Sequence, residues 1–151
     1  MTVDSSKLKA LLARASTDVE EGVVPSCQIA VGFEGEVVAF EAFGDATLDT
    51  RYHVFSCTKP MVASALWVLM GEGSVDITLP VADYVAGFGD NGKHAVSVEH
   101  LLLHTSGFPN ATLLPPAWDT AEGRRAAFSG WELSNEAGTA YEYHPTSAHW
   151  V

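Results

Sequence analysis

The sequence predicts an α/β fold in which helices accompany an antiparallel sheet, and three stretches of the 151-residue chain lead to this prediction. Close to the N-terminus, apolar residues recur at helical spacing. Two alternating runs joined by a tight turn come next, which is typical of a β-hairpin. Further on, a long apolar run predicts a buried helix, and the remainder is mostly helix and loop.

The first helix is expected to begin at Asp4 or Ser5, because either side chain can accept hydrogen bonds from the free N–H groups of a helix start. Its apolar positions recur three and four residues apart and share one face: Leu8, Leu11, Leu12 and Ala15. The helix ends before Gly22, and Pro25 marks the loop that follows.

The hairpin comprises an alternating strand at residues 27–33, a turn at Glu34 and Gly35, and a returning strand at residues 37–43. The returning strand carries apolar residues on both faces. We therefore expect other parts of the fold to cover both of its faces.

The central stretch is residues 61–70, an almost wholly apolar run that Gly71 follows. This pattern predicts a buried helix with a glycine cap at its C-terminus. Pro60 fits only in the first turn of that helix, where its missing N–H does no harm. Ser56 then lies at the helix N-terminus, with Lys59 one turn later on the same face.

Ser56 and Lys59 are a candidate nucleophile and its base. The free N–H groups and dipole of a helix start favour negative charge at the serine. A lysine at the head of a buried helix loses hydration, which favours a neutral amine that can accept a proton. The alternative is an ordinary serine cap beside a lysine whose stem covers apolar surface. Cys57 is interpreted as a small buried packing residue.

The rest of the chain is predicted from shorter signals. They indicate a short helix at 79–85, a turn region at 87–93, a helix capped by Ser97, a proline-rich loop at 108–118 and a short helix at 121–128. The segment from His104 to Gly107 is typical of a helix end that bends into the wall of a site.

Two further motifs are considered and rejected. Residues 87–93 are similar to a phosphate-binding loop, but His94 stands where a hydroxyl would hold Mg²⁺, so we interpret the segment as a surface turn. His100 and His104 lie four residues apart, as metal ligands do. Glu99 precedes this pair instead of following its first member, so a metal is disfavoured. We expect no metal and no cofactor.

A third candidate residue, Tyr143, lies near the end of the chain. Gly138 begins a turn, Tyr141 and Tyr143 share one side of an extended segment, and Pro145 is suited to start a helix. A tyrosine hydroxyl aimed at a serine and lysine can relay a proton, because an ammonium stabilises the phenolate. The alternative is a half-buried structural tyrosine.

Composition limits the partners. Nineteen acidic and eight basic residues give a net charge of −11, which argues against nucleic acid and anionic membranes. No signal peptide is recognisable, and the longest apolar run is too short to span a bilayer. The two cysteines do not form a disulfide framework. We expect a soluble, cytoplasmic protein.

The order of these features resembles the serine β-lactamase and penicillin-binding-protein superfamily, especially its class C branch and the related esterases. The resemblance rests on the N-terminal helix and hairpin, on residues 55–59 with the apolar helix, and on residues 71–81, 101–108 and 138–143. It implies that Ser56 is acylated, that Lys59 is a base and that Tyr143 shares proton transfer. Pro145 replaces the asparagine that the family places two residues after this tyrosine.

The resemblance also implies a β-lactamase/transpeptidase-like fold, a helical region inserted into an antiparallel sheet. Residues 1–50 would supply its first helix and hairpin, and residues 51–151 its mainly helical active-site region, within a single domain. The strand that carries Lys/His-Thr/Ser-Gly in the family would lie beyond Val151, so the sheet is incomplete in this chain. We therefore expect the N-terminal portion of a larger protein, or one of two chains that fold together.

The function expected is a serine hydrolase that acts through an acyl-enzyme on carboxylic esters, with a small-molecule ester or amide as its substrate. One alternative is a β-lactamase, D-amino-acid peptidase or acyltransferase that uses the same site. Another is a non-catalytic relative that serves in binding or sensing, which the proline and the missing strand motivate.

Overall fold

The computed structural model describes residues 2–108 and 111–143. It divides the chain into two compact units, Met1–His53 and Val54–Val151. The first holds helix α1 (Ser5–Glu20) and strands β1 (Ser26–Phe33) and β2 (Glu36–Gly44). The second holds helices α2 (Thr58–Gly71), α3 (Val98–Leu102) and α4 (Ala121–Gly130). The predicted α/β composition is therefore confirmed.

The first unit is a helix packed on a hairpin, as predicted. Asp4 caps α1 by accepting hydrogen bonds from the N–H groups of Ser6 at 2.9 Å and Lys7 at 3.2 Å. The strands pair in antiparallel register through a turn in which Glu34 (φ 49°) and Gly35 (φ 85°) both have positive φ. Such a two-residue turn matches the right-handed twist of the strands it joins.

The expectation that β2 is covered on both faces is wrong for the described part of the chain. Val37 is 69% exposed and Phe40 is 45% exposed. The reason is the size of the sheet, which has two strands among the described residues, with α1 packed against it. Three or more strands are normally needed before a sheet face becomes a stable packing surface.

A short 3₁₀ turn, Phe55–Cys57, leads directly into α2. Pro60 lies in the first turn of α2, as its missing N–H requires. The glycine that ends the helix is Gly73 (φ 72°) and not Gly71, which is the last helical residue. The N–H groups of Gly73 and Ser74 donate to the carbonyls of Met70 and Leu69, which forms a Schellman cap.

The prediction that α2 is buried is also wrong for the described residues. None of its side chains is buried among them, and Trp67 is 63% exposed and Val68 61% exposed. Leu66 packs against the core of its unit. A helix that is apolar on all faces is buried only when neighbouring elements pack on every side, so the other faces of α2 stay exposed.

The core of the second unit is aromatic. Phe108 packs edge-on against Phe88 at 5.7 Å between ring centroids and stacks on Trp131 at 5.8 Å. Phe128, from α4, lies 5.0 Å from Trp131. Residues 87–93 do form a turn, yet Phe88 and Lys93 within it are fully buried, so the interpretation as a surface turn is wrong at these two positions.

Lys93 is the buried cation of this core. Its ammonium donates hydrogen bonds to the backbone carbonyls of Asp90 and Trp131. Burial lowers the pKa of Lys93, while the nearby charges of Asp90 and Glu132 oppose that shift. The hydrogen bonds tie the 90–93 turn to the segment that follows α4.

Caps define the two short helices. Ser97 accepts a hydrogen bond from the His100 N–H at 3.2 Å, and the His100 ring accepts one from the Ser97 N–H at the same distance. Thr120 caps α4 by accepting a hydrogen bond from the Gly123 N–H at 3.0 Å.

The helix predicted at 79–85 is shorter in the structure, where the 3₁₀ turn Val81–Asp83 takes its place. The reason is that the backbone around this turn forms hydrogen bonds with residues 96–99.

Across residues 2–108 and 111–143, every helix is too short or too polar to cross a membrane.

Candidate active site

Ser56 and Lys59 meet at the start of α2. Lys59 Nζ lies 3.2 Å from Ser56 Oγ and donates a hydrogen bond to it. The contact follows from helix geometry, because residues three apart lie on one face. Lys59 is half-buried, whereas Ser56 is exposed and open to a substrate.

The residue before the serine is strained, which the sequence did not indicate. Phe55 has φ 46°, a left-handed conformation that is uncommon for a bulky side chain. Its ring is 84% exposed. Such strain clusters at sites where the backbone must present a particular atom, here Ser56.

Tyr143 completes the group that the sequence predicted. Lys59 Nζ lies 4.7 Å from the centroid of its ring. The pKa of Tyr143 is lowered, first by a hydrogen bond with Lys59, then by one with Ser56, and further by the Lys59 charge; burial and the neighbouring Cys57 oppose the shift. The structure therefore brings the three predicted site residues into one cluster, in which the pKa of the Tyr143 phenol is lowered.

Backbone hydrogen bonds hold the Tyr143 segment against residues 104–107. The Glu142 N–H donates to the His104 carbonyl at 2.9 Å, and the Gly138 N–H donates to the Thr105 carbonyl at 2.8 Å. The Ser134 N–H donates to the Gly107 carbonyl at 2.7 Å. Gly107 is required for this approach, because a Cβ there would lie 2.2 Å from the carbonyl oxygen of Asn135. Of this segment, His104 packs against Tyr143, whereas Ser106 is fully buried.

His104 is the neighbour of this cluster whose role sequence reasoning missed. Its ring centroid lies 4.7 Å from that of Tyr143 and 6.2 Å from that of Tyr141. The sequence placed His104 at a helix end beside the site, and its spacing from His100 suggested a metal ligand, but neither signal indicated a contact with Tyr143. His100 is used as a helix cap, and the described residues contain no group of three His, Cys, Asp or Glu side chains placed to hold a metal ion.

An open apolar cavity of about 550 Å³ begins beside the site. Lys59 and His104 are among its lining residues, together with apolar side chains that include Val62, Leu66, Val81 and Leu101. Pro145 lies outside the described residues. Cys57 is exposed, contrary to the buried packing role expected for it, so a thiol stands next to the candidate nucleophile.

Comparison with known proteins gives the class of this fold. A solved family VIII carboxylesterase matches it with a TM-score of 0.79 at 27% identity, over 95% of this chain and 42% of that protein. A penicillin-binding-protein homologue from Caulobacter crescentus matches with a TM-score of 0.78 at 26% identity, over 99% of this chain and 43% of that protein. The fold is thus that of the serine β-lactamase and penicillin-binding-protein superfamily, with its sheet incomplete among the described residues.

The family follows from the sequence itself. The beta-lactamase family profile matches residues 11–151, and the chain belongs to that family. Esterase/beta-lactamase LipL of Mycobacterium tuberculosis is 39% identical over 59 residues, which cover 39% of this chain and 14% of LipL. The chain spans less than half the length of each of these three relatives. Membership of this superfamily supports an enzyme of the serine hydrolase kind.

Proposed function

We propose that this chain carries the nucleophilic half of a serine hydrolase that forms an acyl-enzyme with carboxylic esters. The observation that carries the proposal is the hydrogen bond from Lys59 Nζ to Ser56 Oγ at 3.2 Å. Tyr143 lies beside this pair, and its pKa is lowered mainly by hydrogen bonds with Lys59 and Ser56. Nucleophile, base and proton relay are the three parts that covalent acyl transfer needs.

The reaction begins when Ser56 Oγ attacks the ester carbonyl carbon and its proton passes to the Lys59–Tyr143 pair. The Ser56 N–H would stabilise the oxyanion, together with a donor from the remainder of the fold. Collapse breaks the bond to the leaving alcohol, which takes the proton from Tyr143. Water then attacks the acyl-enzyme, gives its proton to the same pair and releases the acid, while the serine regains its hydrogen.

An ester is favoured over a lactam because of Pro145. Expelling an amide nitrogen requires protonation and groups that grip the amide, whereas an alcohol leaves more easily. Proline offers neither an N–H nor an amide side chain where the family has asparagine. Loss of one such hydrogen bond costs about 1–3 kcal/mol, roughly a tenfold to hundredfold change in rate.

The remainder of the fold is part of this proposal. Large apolar side chains are exposed on both α2 and β2, among them Trp67 and Val37, and exposed apolar side chains in such number are typical of a surface that another part of a fold covers. We propose that further strands of the sheet cover them, in the same polypeptide or in a second chain, and that activity requires them.

Two experiments test the function in the complete enzyme, which by this proposal carries this chain and the rest of the fold. Mass spectrometry after reaction with a fluorophosphonate should place the adduct on Ser56. Ser56→Ala should remove turnover by several orders of magnitude, and Cys57→Ala, the matched control, should retain it. Labelling of Cys57, with activity surviving in Ser56→Ala, would contradict the assignment.

The second experiment compares kcat/KM for a short-chain nitrophenyl ester and a chromogenic cephalosporin. The ester should be hydrolysed readily and the cephalosporin poorly. Equal or faster turnover of the lactam favours the β-lactamase or peptidase alternative. That alternative is supported by LipL, a relative whose name includes both esterase and beta-lactamase. No turnover of either substrate and no adduct on Ser56 would favour the non-catalytic alternative.

A further inference from the structure

The feature that the proposed mechanism leaves unused is His104, where α3 has ended and the wall of the site begins. Its backbone is left-handed, with φ 55°, a conformation in which histidine is found several times more often than most residues. In this conformation both the backbone and the side chain of His104 contact the Tyr143 segment. Its carbonyl accepts the Glu142 N–H at 2.9 Å, and its ring packs against Tyr143.

The ring of His104 meets the ring of Tyr143 in a tilted arrangement, with 4.7 Å between centroids and 44° between planes. The Lys59 ammonium also lies 4.7 Å from the Tyr143 ring. The phenol is exposed and lies on a segment without helix or strand, so contacts with its ring decide where its hydroxyl points.

The structure assigns His104 as the positioning residue for Tyr143: its imidazole holds the phenol ring so that the hydroxyl stays on Lys59 and Ser56. This inference rests on the proposed function, since it concerns the proton relay of that site. The imidazole itself makes no contact with the reacting carbonyl in this scheme and acts through Tyr143.

The charges around the imidazole support a neutral, packing role. Burial lowers the pKa of His104, and the nearby Lys59 charge lowers it further. Among the described residues, the titratable groups placed beside its ring include Lys59 from α2 and Tyr141 and Tyr143 from the segment after α4. A second positive charge beside Lys59 would compete with it for the phenolate, so the neutral ring serves the relay better.

The test uses two substitutions that separate the ring from the backbone. His104→Asn removes the ring and keeps a residue that tolerates the left-handed backbone. His104→Phe keeps an aromatic ring that does not titrate. His94→Asn, at an exposed histidine of the same unit, is the matched control. Each is made in the complete enzyme, and folding is checked by circular dichroism.

Two quantities are measured: kcat and KM for a nitrophenyl ester, and the pKa of Tyr143 from phenolate absorbance after subtraction of a Tyr143→Phe titration. In His104→Asn, kcat should fall about tenfold to a hundredfold with little change in KM, as expected for a misplaced catalytic group. The pKa of Tyr143 should rise toward its ordinary value. His104→Phe should restore the pKa and much of kcat.

An unchanged pKa of Tyr143 in His104→Asn overturns the inference, whether or not activity falls, because the residue would then act on folding or on the substrate. A pKa that His104→Phe fails to restore, in a variant whose circular dichroism matches that of the parent, overturns it as well. The titration needs no turnover, so it remains decisive even if Ser56→Ala shows the proposed function to be wrong.

Discussion

Replacing Tyr143 by phenylalanine removes one oxygen atom and leaves the packing of the ring in place. The ring would still lie 4.7 Å from Lys59 Nζ and 4.7 Å from the ring of His104. The hydrogen bonds of the hydroxyl with Lys59 and Ser56, the two main causes of its lowered pKa, would disappear. The substitution therefore removes proton relay while conserving shape.

The size of the effect follows from what remains. A positioned acid or base contributes about 10²–10⁴ in rate. Lys59 Nζ still lies 3.2 Å from Ser56 Oγ and can carry part of the proton transfer. We therefore expect the lower part of this range, a fall in kcat of about 10²–10³, with KM changed little because binding of the ester does not depend on the phenol.

The assay is steady-state hydrolysis of a nitrophenyl ester by the complete enzyme, with the burst of nitrophenol followed in the first turnover. Tyr141→Phe is the matched control, because Tyr141 lies on the same segment, contacts His104 and is 69% exposed. It should retain nearly full activity. Activity of Tyr143→Phe close to that of the parent, or an equal loss in Tyr141→Phe, would refute the proton-relay role.

Further outcomes are expected. Lys59→Met should raise the pKa of Tyr143, because the hydrogen bond and charge that favour phenolate are lost; a spectrophotometric titration in which the phenolate forms at the same pH would contradict this. In urea denaturation of the complete enzyme, Phe88→Ala should lower the free energy of unfolding by about 3–5 kcal/mol, because the side chain is fully buried. Leu114→Ala, at a residue that is 61% exposed, should change it by less than about 0.5 kcal/mol. Residues 1–151 produced alone should bind a hydrophobic dye and melt without a sharp transition, and Trp67→Gln should reduce dye binding. A sharp cooperative melt of a monomer would show this expectation to be wrong.

The sequence could predict the pairing of Ser56 and Lys59 because that contact is local. Three residues of helix fix their separation, and Pro60 fixes where the helix begins. Tyr143 is far along the chain, and only the resemblance to a known superfamily placed it near them. Its approach depends on backbone bonds to residues 104–107, which no periodicity in the sequence encodes.

Burial was predicted less well, because burial depends on partners as well as on the residue. The apolar run in α2 predicted a helix correctly but not its exposure, which reflects the neighbours present. Lys93 shows the opposite case, since a charged residue in a polar turn is fully buried on account of two carbonyls that accept its hydrogen bonds. The choice of Gly71 over Gly73 as the cap failed because both fit the pattern and only the hydrogen bonds distinguish them.

The attachment of the Tyr143 segment has a consequence for sequence variation and for engineering. Ser134, Gly138 and Glu142 are all held through their main-chain N–H groups, so exchanging the side chain of Ser134 or Glu142 leaves these three hydrogen bonds in place. Gly138 itself cannot be exchanged freely, because its φ is 83° and a Cβ there would lie 3.1 Å from the His100 ring, closer than ordinary contact. A deletion of a single residue would shift the spacing of these attachments and draw the tyrosine away from the lysine. Libraries that vary the exposed residues of this segment but preserve its length should therefore retain the catalytic cluster.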